Sequence, residues 1–184
     1  MNTFYLVRHA DVVWTPDENR SLSECGHQDA KRAAEILLKF PISVIYSSPY
    51  LRARQTIAPL SSHLEIDVQS EPDLRERRMS EGQIPDFLKV IEATWEDFSF
   101  AYPGGESNSA AQQRGVAVLL RINQLHQAEH IVISTHGNLL ALMLNHFEPS
   151  IDFNFWKSMT FPDVYQLKIK ADGQAVIHRL WDGD

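Results

Sequence analysis

Residues 130–146 read HIVISTHGNLLALMLNH, a β-branched apolar run that passes directly into a leucine-rich one. The run from His130 to Ser134 predicts a buried strand, and Asn138 to His146 predicts a helix. A second short apolar run, Phe4 to Val7, also ends abruptly in polar residues. In open α/β sheets, ligands bind just beyond the carboxyl ends of the strands. The ends of these two strands are therefore candidate parts of one binding site.

Strand-like and helix-like segments alternate along the rest of the chain, and this alternation predicts the fold class. Apolar residues recur at helical spacing in four segments: 25–39, 51–63, 84–98 and a long segment that runs from Ser107 toward residue 127. Pro85 is expected in the first turn of the third helix, and Ser107 is expected to cap the fourth. Further candidate strands lie at 44–46, around 66–68, at 164–170 and at 175–181, the last two joined by a turn at 171–174. We expect a three-layer α/β/α fold with a mostly parallel central sheet and a C-terminal antiparallel hairpin, in one domain spanning residues 1–184.

Composition and charge exclude several classes of function. The 184 residues contain 17 Lys+Arg and 24 Asp+Glu, a net charge of −7 that disfavours nucleic acid and anionic membranes as partners. No apolar stretch approaches the roughly 20 residues of a membrane-spanning helix, and the N-terminus does not resemble a signal peptide. Cys25 is the single cysteine, which suits a reducing compartment. The expectation is a soluble cytoplasmic protein.

The basic residues are unusually rich in arginine, with 11 Arg against 6 Lys. Guanidinium groups bind phosphate and carboxylate in a forked, bidentate geometry. At the end of the first strand, Arg8 could hold phosphoryl oxygens while a neutral His9 attacks phosphorus. At the end of the later strand, Gly137 after His136 would let a backbone N–H approach a ligand closely. Taken alone, each pair is also consistent with an exposed pair or an ordinary strand-to-helix turn.

Two further charged positions have both a chemical and a structural interpretation. Arg52 lies in the first turn of a predicted helix, directly after the polar strand end at 47–49. Glu76 is flanked by Arg75, Arg77 and Arg78, which is typical of a solvated charge cluster. Beside a bound dianion, however, a carboxyl group at Glu76 would hold a proton and could donate it to a leaving oxygen.

Six short motifs follow one another in a fixed order, from residue 4 to about residue 145. They are LVRH (6–9), LSECGHQ (22–28), SSPYLRARQT (47–56), LRE (74–76), PGGES (103–107) and STHGN (134–138). The series closely resembles the histidine phosphatase superfamily, also called phosphoglycerate mutase-like, and in particular its shorter phosphatase members.

The resemblance implies a role for five residues. His9 matches the nucleophile that becomes a transient phosphohistidine. Arg8, Arg52 and His136 match the groups that bind the phosphoryl group and stabilise its charge, and Glu76 matches the acid that protonates the leaving group. The implied reaction uses no metal and no cofactor. Its substrate would be a small phosphorylated metabolite or a phosphorylated macromolecule.

Four positions depart from the family pattern. Ala10 and Asp11 replace a more usual Gly and Glu after the nucleophile, and Thr15 stands where many members carry Asn. After Glu76, Ser80 replaces a common Gly. These changes concern the rim of the pocket and the identity of the substrate more than the central chemistry.

Other functions are disfavoured by particular residues. A phosphoglycerate mutase-type phosphotransferase needs extra segments that enclose the phosphohistidine, and a non-catalytic phosphate-binding module would be expected to lose His9 or Glu76. Cys25 lacks the arginine six positions later that a cysteine phosphatase needs. The spaced pair His126 and His130 is interpreted as two surface histidines rather than a metal site.

The segment 83–101 is the main insertion available as a lid over the pocket. It contains the aromatic residues Phe87, Trp95, Phe98 and Phe100, which could either cap the pocket or belong to the core.

Overall fold

A computed structural model describes residues 1–15, 17–82, 84–170 and 173–183. Strands and helices alternate along these residues, as the sequence predicts. The strands are β1 (Thr3–Arg8), β2 (Val44–Ser47), β3 (Val68–Ser70), β4 (His130–Thr135), β5 (Asp163–Ile169) and β6 (Ala175–Arg179). The helices are α1 (Glu24–Leu37), α2 (Leu51–Leu64), α3 (Phe87–Glu96), α4 (Asn108–Leu125), α5 (Gly137–Phe147) and α6 (Phe153–Ser158), with a 3₁₀ turn at Pro72–Leu74.

The strands form one sheet in the order β3-β2-β4-β1-β5-β6. Strands β1 to β4 run parallel to one another, whereas β5 pairs antiparallel with β1 and β6 antiparallel with β5. The mostly parallel sheet and the C-terminal hairpin are thus confirmed. Of the predicted turn at 171–174, residues 171 and 172 lie outside the described residues.

The apolar core divides into two main clusters, one on each face of the sheet. Along β1, Phe4 and Leu6 belong to the cluster under α4 and α5, whereas Tyr5 and Val7 belong to the cluster under α1 and α2. Both faces of β1 are therefore covered, which explains why the strand reads as a continuous apolar run. The three layers predicted from the alternation are present.

The register of β1 and β4 brings their carboxyl ends level. Arg8 pairs with Thr135 at the last position of the two strands. The next residue of each strand, His9 and His136, consequently leaves the sheet at the same edge. The backbone N–H of His9 donates to the carbonyl oxygen of Thr135 at 3.1 Å, which ties the two strand ends together.

Two differences from the predicted elements have simple physical reasons, whereas the predicted cap of α4 is present. Helix α3 begins at Phe87 because Asp86 caps it, accepting from the N–H of Lys89, so Pro85 precedes the helix instead of lying in its first turn. Helix α6 was not predicted, since six residues are too few for a clear periodicity. Ser107 caps α4 as expected, accepting from the N–H of Ala110 at 3.1 Å.

Within the described ranges, none of the helices combines the length and the apolar character that crossing a membrane requires.

Candidate active site

The structure brings the predicted site residues together at the carboxyl edge of the sheet. His9 and His136 lie with their ring centroids 5.3 Å apart, and Arg52 Nε lies 3.3 Å from His9 Nε2. All three side chains are buried, as is Arg8 at the end of β1. Two imidazoles and two guanidiniums therefore share one small region.

The His9 ring is held in one orientation and one tautomer. Its Nδ1 lies 2.8 Å from the carbonyl oxygen of Ala10, and since a carbonyl can only accept, Nδ1 carries the proton. This leaves a lone pair on Nε2, which accepts from Arg52. Burial is the main cause that lowers the pKa of His9 to about 3; the hydrogen bond to Ala10 opposes this shift, and the charges of Arg52 and Arg8 contribute to it. The ring is thus neutral at physiological pH, the form in which a histidine is nucleophilic.

The backbone beside His9 is anchored despite the unusual residue at position 10. The N–H of Ala10 donates to Thr56 Oγ1 at 3.0 Å, and Ala10 is fully buried. Ser23 donates from its hydroxyl to the Asp11 carboxylate at 2.6 Å, while its backbone N–H donates to the Asp11 carbonyl. A Cβ at Gly26 would lie only 2.1 Å from that same carbonyl oxygen, so the start of α1 needs glycine there.

Arg8 is clamped between the segment before β5 and the start of α5. Its Nη1 donates to the carbonyl of Met159 at 2.8 Å, and its Cζ lies 3.4 Å from the centroid of the Phe161 ring. A Cβ at Gly137 would lie 2.7 Å from Arg8 Nε, so Gly137 lets the guanidinium pack directly on the helix start. Burial lowers the pKa of Arg8 to about 10, which still leaves it charged at neutral pH. Its buried Nε has no hydrogen-bond partner among the described residues.

Arg52 and His136 are oriented by Glu18 and by residues of the strand end at 47–50. Arg52 Nη1 donates to the carbonyl of Glu18 at 2.6 Å, and its Cζ lies 4.8 Å from the centroid of the Tyr50 ring. His136 Nε2 is hydrogen bonded to Ser48 Oγ at 2.8 Å, and its buried Nδ1 lacks a partner in the part of the chain that the structure describes. Burial, with smaller effects of His9 and Arg52, lowers the pKa of His136 well below its ordinary value.

The carboxylate of Glu76 is fixed at the beginning of α5. One oxygen accepts from the N–H groups of Arg77 at 2.8 Å and Leu139 at 3.0 Å, and the other accepts from Asn138 N–H at 3.1 Å. Its negative charge also raises the pKa of Arg8 and of Arg52, opposing the effect of burial. Glu76 is therefore a carboxylate placed among guanidiniums, and not a member of a solvated charge cluster.

The residues around Glu76 are braced from two sides. Thr135 Oγ1 donates to the carbonyl of Leu74 at 2.7 Å. Glu106 forms a largely buried ion pair with Arg114 at 2.7 Å, and Arg114 Nη1 also donates to the carbonyl of Arg75 at 3.1 Å. The PGGES motif thus contributes support for the Glu76 segment.

A cleft of about 500 Å³ opens onto these groups. Of the predicted residues, Arg8, His9, Arg52, Glu76 and Gly137 line it, whereas His136 lies beneath its floor and is fully buried. Of the three arginines around Glu76, only Arg77 lines this cleft; Arg78 lies at an adjoining part of its mouth, and Arg75 pairs with Asp73 at 2.7 Å.

Several lining residues were not predicted from the sequence. Arg20, Trp156, Lys157, Met159 and Phe161 all face the cleft. They belong to the loop before α1 and to the segment from α6 to β5, where the sequence offers no motif. The roles of Ser48 and Thr56 were also missed, although both residues fall inside the SSPYLRARQT motif and could have been noticed there.

The four aromatic residues of segment 83–101 separate into different environments. Phe87 lines the cleft, together with Leu88 and Ile91 of the same helix. Trp95 and Phe98 pack against the core, and Phe100 is exposed. The lid role of this segment, whose residue 83 lies outside the described ranges, stays a prediction.

The histidines at positions 126 and 130 are only partly exposed, and each is held by a tyrosine hydroxyl. His130 Nδ1 is hydrogen bonded to the Tyr5 hydroxyl at 2.8 Å, and His126 Nε2 to the Tyr46 hydroxyl at 3.1 Å, with both imidazoles half-buried. The two tyrosines belong to the core clusters on opposite faces of the sheet. Across the described part of the chain, no group of three or more His, Cys, Asp or Glu side chains is arranged to hold a metal ion.

Comparisons with known proteins identify the family to which the sequence belongs. Residues 4–182 match a sequence model of the histidine phosphatase superfamily, branch 1. The chain is 29% identical over 163 residues to phosphoglycerate mutase-like protein 4 of Arabidopsis thaliana, covering 79% of this chain and 70% of that protein. It is 29% identical over 147 residues to phosphoserine phosphatase 1 of Hydrogenobacter thermophilus, covering 71% and 69%.

Solved structures resemble the fold over its full length. A mycobacterial glucosyl-3-phosphoglycerate phosphatase superposes with a TM-score of 0.81 at 22% identity, covering 99% of both chains. A phosphoserine phosphatase from Entamoeba histolytica superposes with a TM-score of 0.79 at 17% identity, covering 98% of this chain and 97% of the other.

Proposed function

Because the chain belongs to the histidine phosphatase superfamily, we propose that it is a metal-independent phosphomonoesterase that works through a phosphohistidine on His9. Relatives named as phosphatases support the hydrolase class. The observation that carries the mechanism is the geometry of His9: a neutral, buried ring whose Nδ1 is tied to a carbonyl and whose Nε2 faces the Arg52 guanidinium.

The first step transfers the phosphoryl group to the enzyme. His9 Nε2 attacks phosphorus, a P–N bond forms, and the P–O bond to the alcohol breaks. Arg8 and Arg52 hold the equatorial oxygens, whose charge is stabilised in this buried, positively charged setting. A proton on Glu76 passes to the departing oxygen, so that the alcohol leaves neutral.

The second step returns the enzyme to its starting state. A water molecule attacks phosphorus and gives a proton to Glu76, while the P–N bond breaks and inorganic phosphate is released. Glu76 thus acts first as acid and then as base, and the protons balance over one turnover. The fixed position of its carboxylate at the start of α5 suits both roles.

A phosphotransferase of the mutase type is the second candidate, because relatives with mutase names match the chain. It would share the first step and differ only in the acceptor, an alcohol in place of water. Release of inorganic phosphate in equal amount to the alcohol favours hydrolysis, and phosphorylation of an added acceptor alcohol favours transfer.

The deciding experiment measures hydrolysis of 4-nitrophenyl phosphate with and without EDTA, in the wild type and in His9→Ala. We expect activity that persists in EDTA, vanishes in His9→Ala, and is unchanged in the control variant His27→Ala, whose imidazole is exposed on α1. Loss of activity in EDTA, or a normal rate in His9→Ala, would contradict the proposal. So would complete inactivity of the folded wild type, which would favour a non-catalytic phosphate-binding module.

A further inference from the structure

The walls of the cleft differ in character from its floor, and we propose that they select esters with an uncharged, apolar leaving group. This inference rests on the proposed function and names its substrate class: phosphate monoesters of apolar phenols or alcohols, in preference to esters that carry a second anionic group.

Half of the eighteen described residues that line the cleft are apolar. The polar ones needed for phosphoryl transfer lie together at the floor. Six apolar side chains, which we call the apolar wall, lie around them: Trp14, Phe87, Leu88, Ile91, Trp156 and Phe161. A phosphate bound at the floor would therefore direct its ester substituent toward the apolar wall.

Much of this wall is exposed to solvent in the free protein. The exposed fraction is 76% for Trp14, 51% for Phe87, 50% for Leu88 and 44% for Phe161. These four make up almost half of the nine strongly exposed large hydrophobic residues in the described part of the chain. Such a concentration of exposed apolar groups at one cleft is typical of a binding surface and not of a random surface distribution.

The wall is assembled from three separate parts of the chain. Helix α3 contributes Phe87, Leu88 and Ile91, the segment from α6 to β5 contributes Trp156 and Phe161, and the loop after β1 contributes Trp14. Helix α3 packs against α6, which brings the first two parts together. The Phe161 ring lies 5.5 Å from the His9 ring and also covers Arg8, so the wall begins directly at the reacting atoms.

The cations near the wall are already engaged in contacts within the protein. Arg77 is buried and donates to Thr94 Oγ1 at 3.2 Å and to the carbonyl of Glu106 at 3.4 Å. Arg78 pairs with Glu81 at 3.6 Å, and Arg20 Nε donates to the carbonyl of Asp17 at 3.2 Å. The exposed Lys157 on α6 is the cation that a second anionic group would use, and it provides the rival hypothesis.

The experiment compares kcat/KM for three aryl phosphates: phenyl, 2-naphthyl and 4-carboxyphenyl phosphate. The phenyl and 2-naphthyl esters release phenols of similar acidity, so their ratio reports contact with the leaving group and not its chemistry. Burial of a second ring against the wall predicts a 2-naphthyl to phenyl ratio of about ten or more. The 4-carboxyphenyl ester is expected to be no better than the phenyl ester.

Variants of the apolar wall test whether its side chains cause the preference for the 2-naphthyl ester. Trp14→Ala and Phe87→Ala should each lower the 2-naphthyl to phenyl ratio severalfold, and Leu125→Ala should leave it unchanged. Leu125 is a matched control because it is 64% exposed at the far end of α4 and does not line the cleft. Since Trp14 and Phe87 are both exposed, neither substitution removes a core contact.

Two results would overturn the inference. One is a 2-naphthyl to phenyl ratio near one, or a ratio that Trp14→Ala and Phe87→Ala leave unchanged. The other is a preference for 4-carboxyphenyl phosphate or phosphoserine over phenyl phosphate, which Lys157→Ala and Arg20→Ala would assign to one of these two cations, both of which line the cleft. In either case hydrolysis that still depends on His9 leaves the proposed function intact, whereas hydrolysis independent of His9 contradicts the proposed function itself.

Discussion

Strands β1 and β4 lie side by side, and histidines are found at both of their ends. At the carboxyl ends, His9 and His136 are buried, face each other and are surrounded by arginines. At the amino ends, His130 and the nearby His126 are half-buried, and each is hydrogen bonded to a tyrosine hydroxyl. The same residue type therefore occurs in two very different surroundings within one sheet.

The surroundings of the histidines at the two ends show which conditions make an imidazole nucleophilic. Burial and, to a smaller extent, guanidinium charges lower the pKa of His9, so the ring stays neutral and its Nε2 lone pair faces Arg52 at a candidate binding site for anions. At the amino ends, the sheet separates the tyrosine partners of His126 and His130, and neither histidine lines the cleft described above. The positions of the histidines in the sequence do not by themselves distinguish these two kinds of surroundings.

The largest expected effect comes from removing one histidine at each end. His136→Ala should lower kcat/KM by about 10²- to 10³-fold, the loss typical of one group that stabilises charge in the transition state. His130→Ala should stay within about twofold of the wild type. Steady-state kinetics with 4-nitrophenyl phosphate, on variants whose circular dichroism matches the wild type, would check this. Comparable losses in both variants would remove the distinction between the two ends.

Glu76 gives a second test, because its carboxylate is held at the start of α5, at the carboxyl end of the strands. Glu76→Gln should slow hydrolysis of an alkyl phosphate by about 10²-fold, since its alkoxide needs the proton. The same variant should slow 4-nitrophenyl phosphate much less. Glu81→Gln, at an exposed glutamate near the cleft mouth, is the control and should affect neither substrate. Equal slowing of both esters by Glu76→Gln would exclude Glu76 as the acid.

Much of the floor of the site could be predicted because its residues follow strand ends. The apolar runs at 4–7 and 130–134 predict strands, and the order of the chain places both ends at one edge of a parallel sheet. The polar residues that follow them, His9 and His136, therefore had to meet. The arginine excess pointed in the same direction, since Arg8 and Arg52 now lie beside the imidazoles.

The rest of the site depends on contacts that leave no pattern in the sequence. Glu76 is held by backbone N–H groups of α5, and a backbone donor is the same for every residue type. Phe161 reaches Arg8 only because β5 returns antiparallel beside β1. Full burial of His136 beneath the floor likewise results from packing and not from its local sequence.

The low pKa of His9 makes a prediction about stability. In the unfolded chain this histidine has its ordinary pKa of about 6.5, whereas in the folded protein it takes up a proton only near pH 3. Between these values the unfolded state binds more protons, so folding stability is lost as the pH falls below about 6.5. From pH 7 to pH 5 this one group should cost about 2 kcal/mol.

Urea unfolding of the wild type and His9→Gln at pH 5, 6, 7 and 8 would measure that contribution. The wild type should lose about 2 kcal/mol more than His9→Gln between pH 7 and pH 5. Between pH 7 and pH 8 the two proteins should change in parallel, because His9 is then neutral in both states. If the unfolding free energies of the two proteins changed in parallel from pH 8 to pH 5, the folded protein would accommodate a charged His9.

The smallest expected effect lies at the amino end of the strands. The Tyr5 hydroxyl is hydrogen bonded to His130 and accepts from Gln166 Nε2 at 3.4 Å, so Tyr5→Phe should cost about 1 kcal/mol of unfolding free energy. Tyr46→Phe, which removes the partner of His126, should cost a similar amount. Neither variant should change kcat/KM, because both hydroxyls bond to histidines at the edge of the sheet opposite the cleft. A tenfold or greater fall in kcat/KM in either variant, with the fold intact, would show that the two ends of the sheet are coupled and that the amino-end histidines serve more than stability.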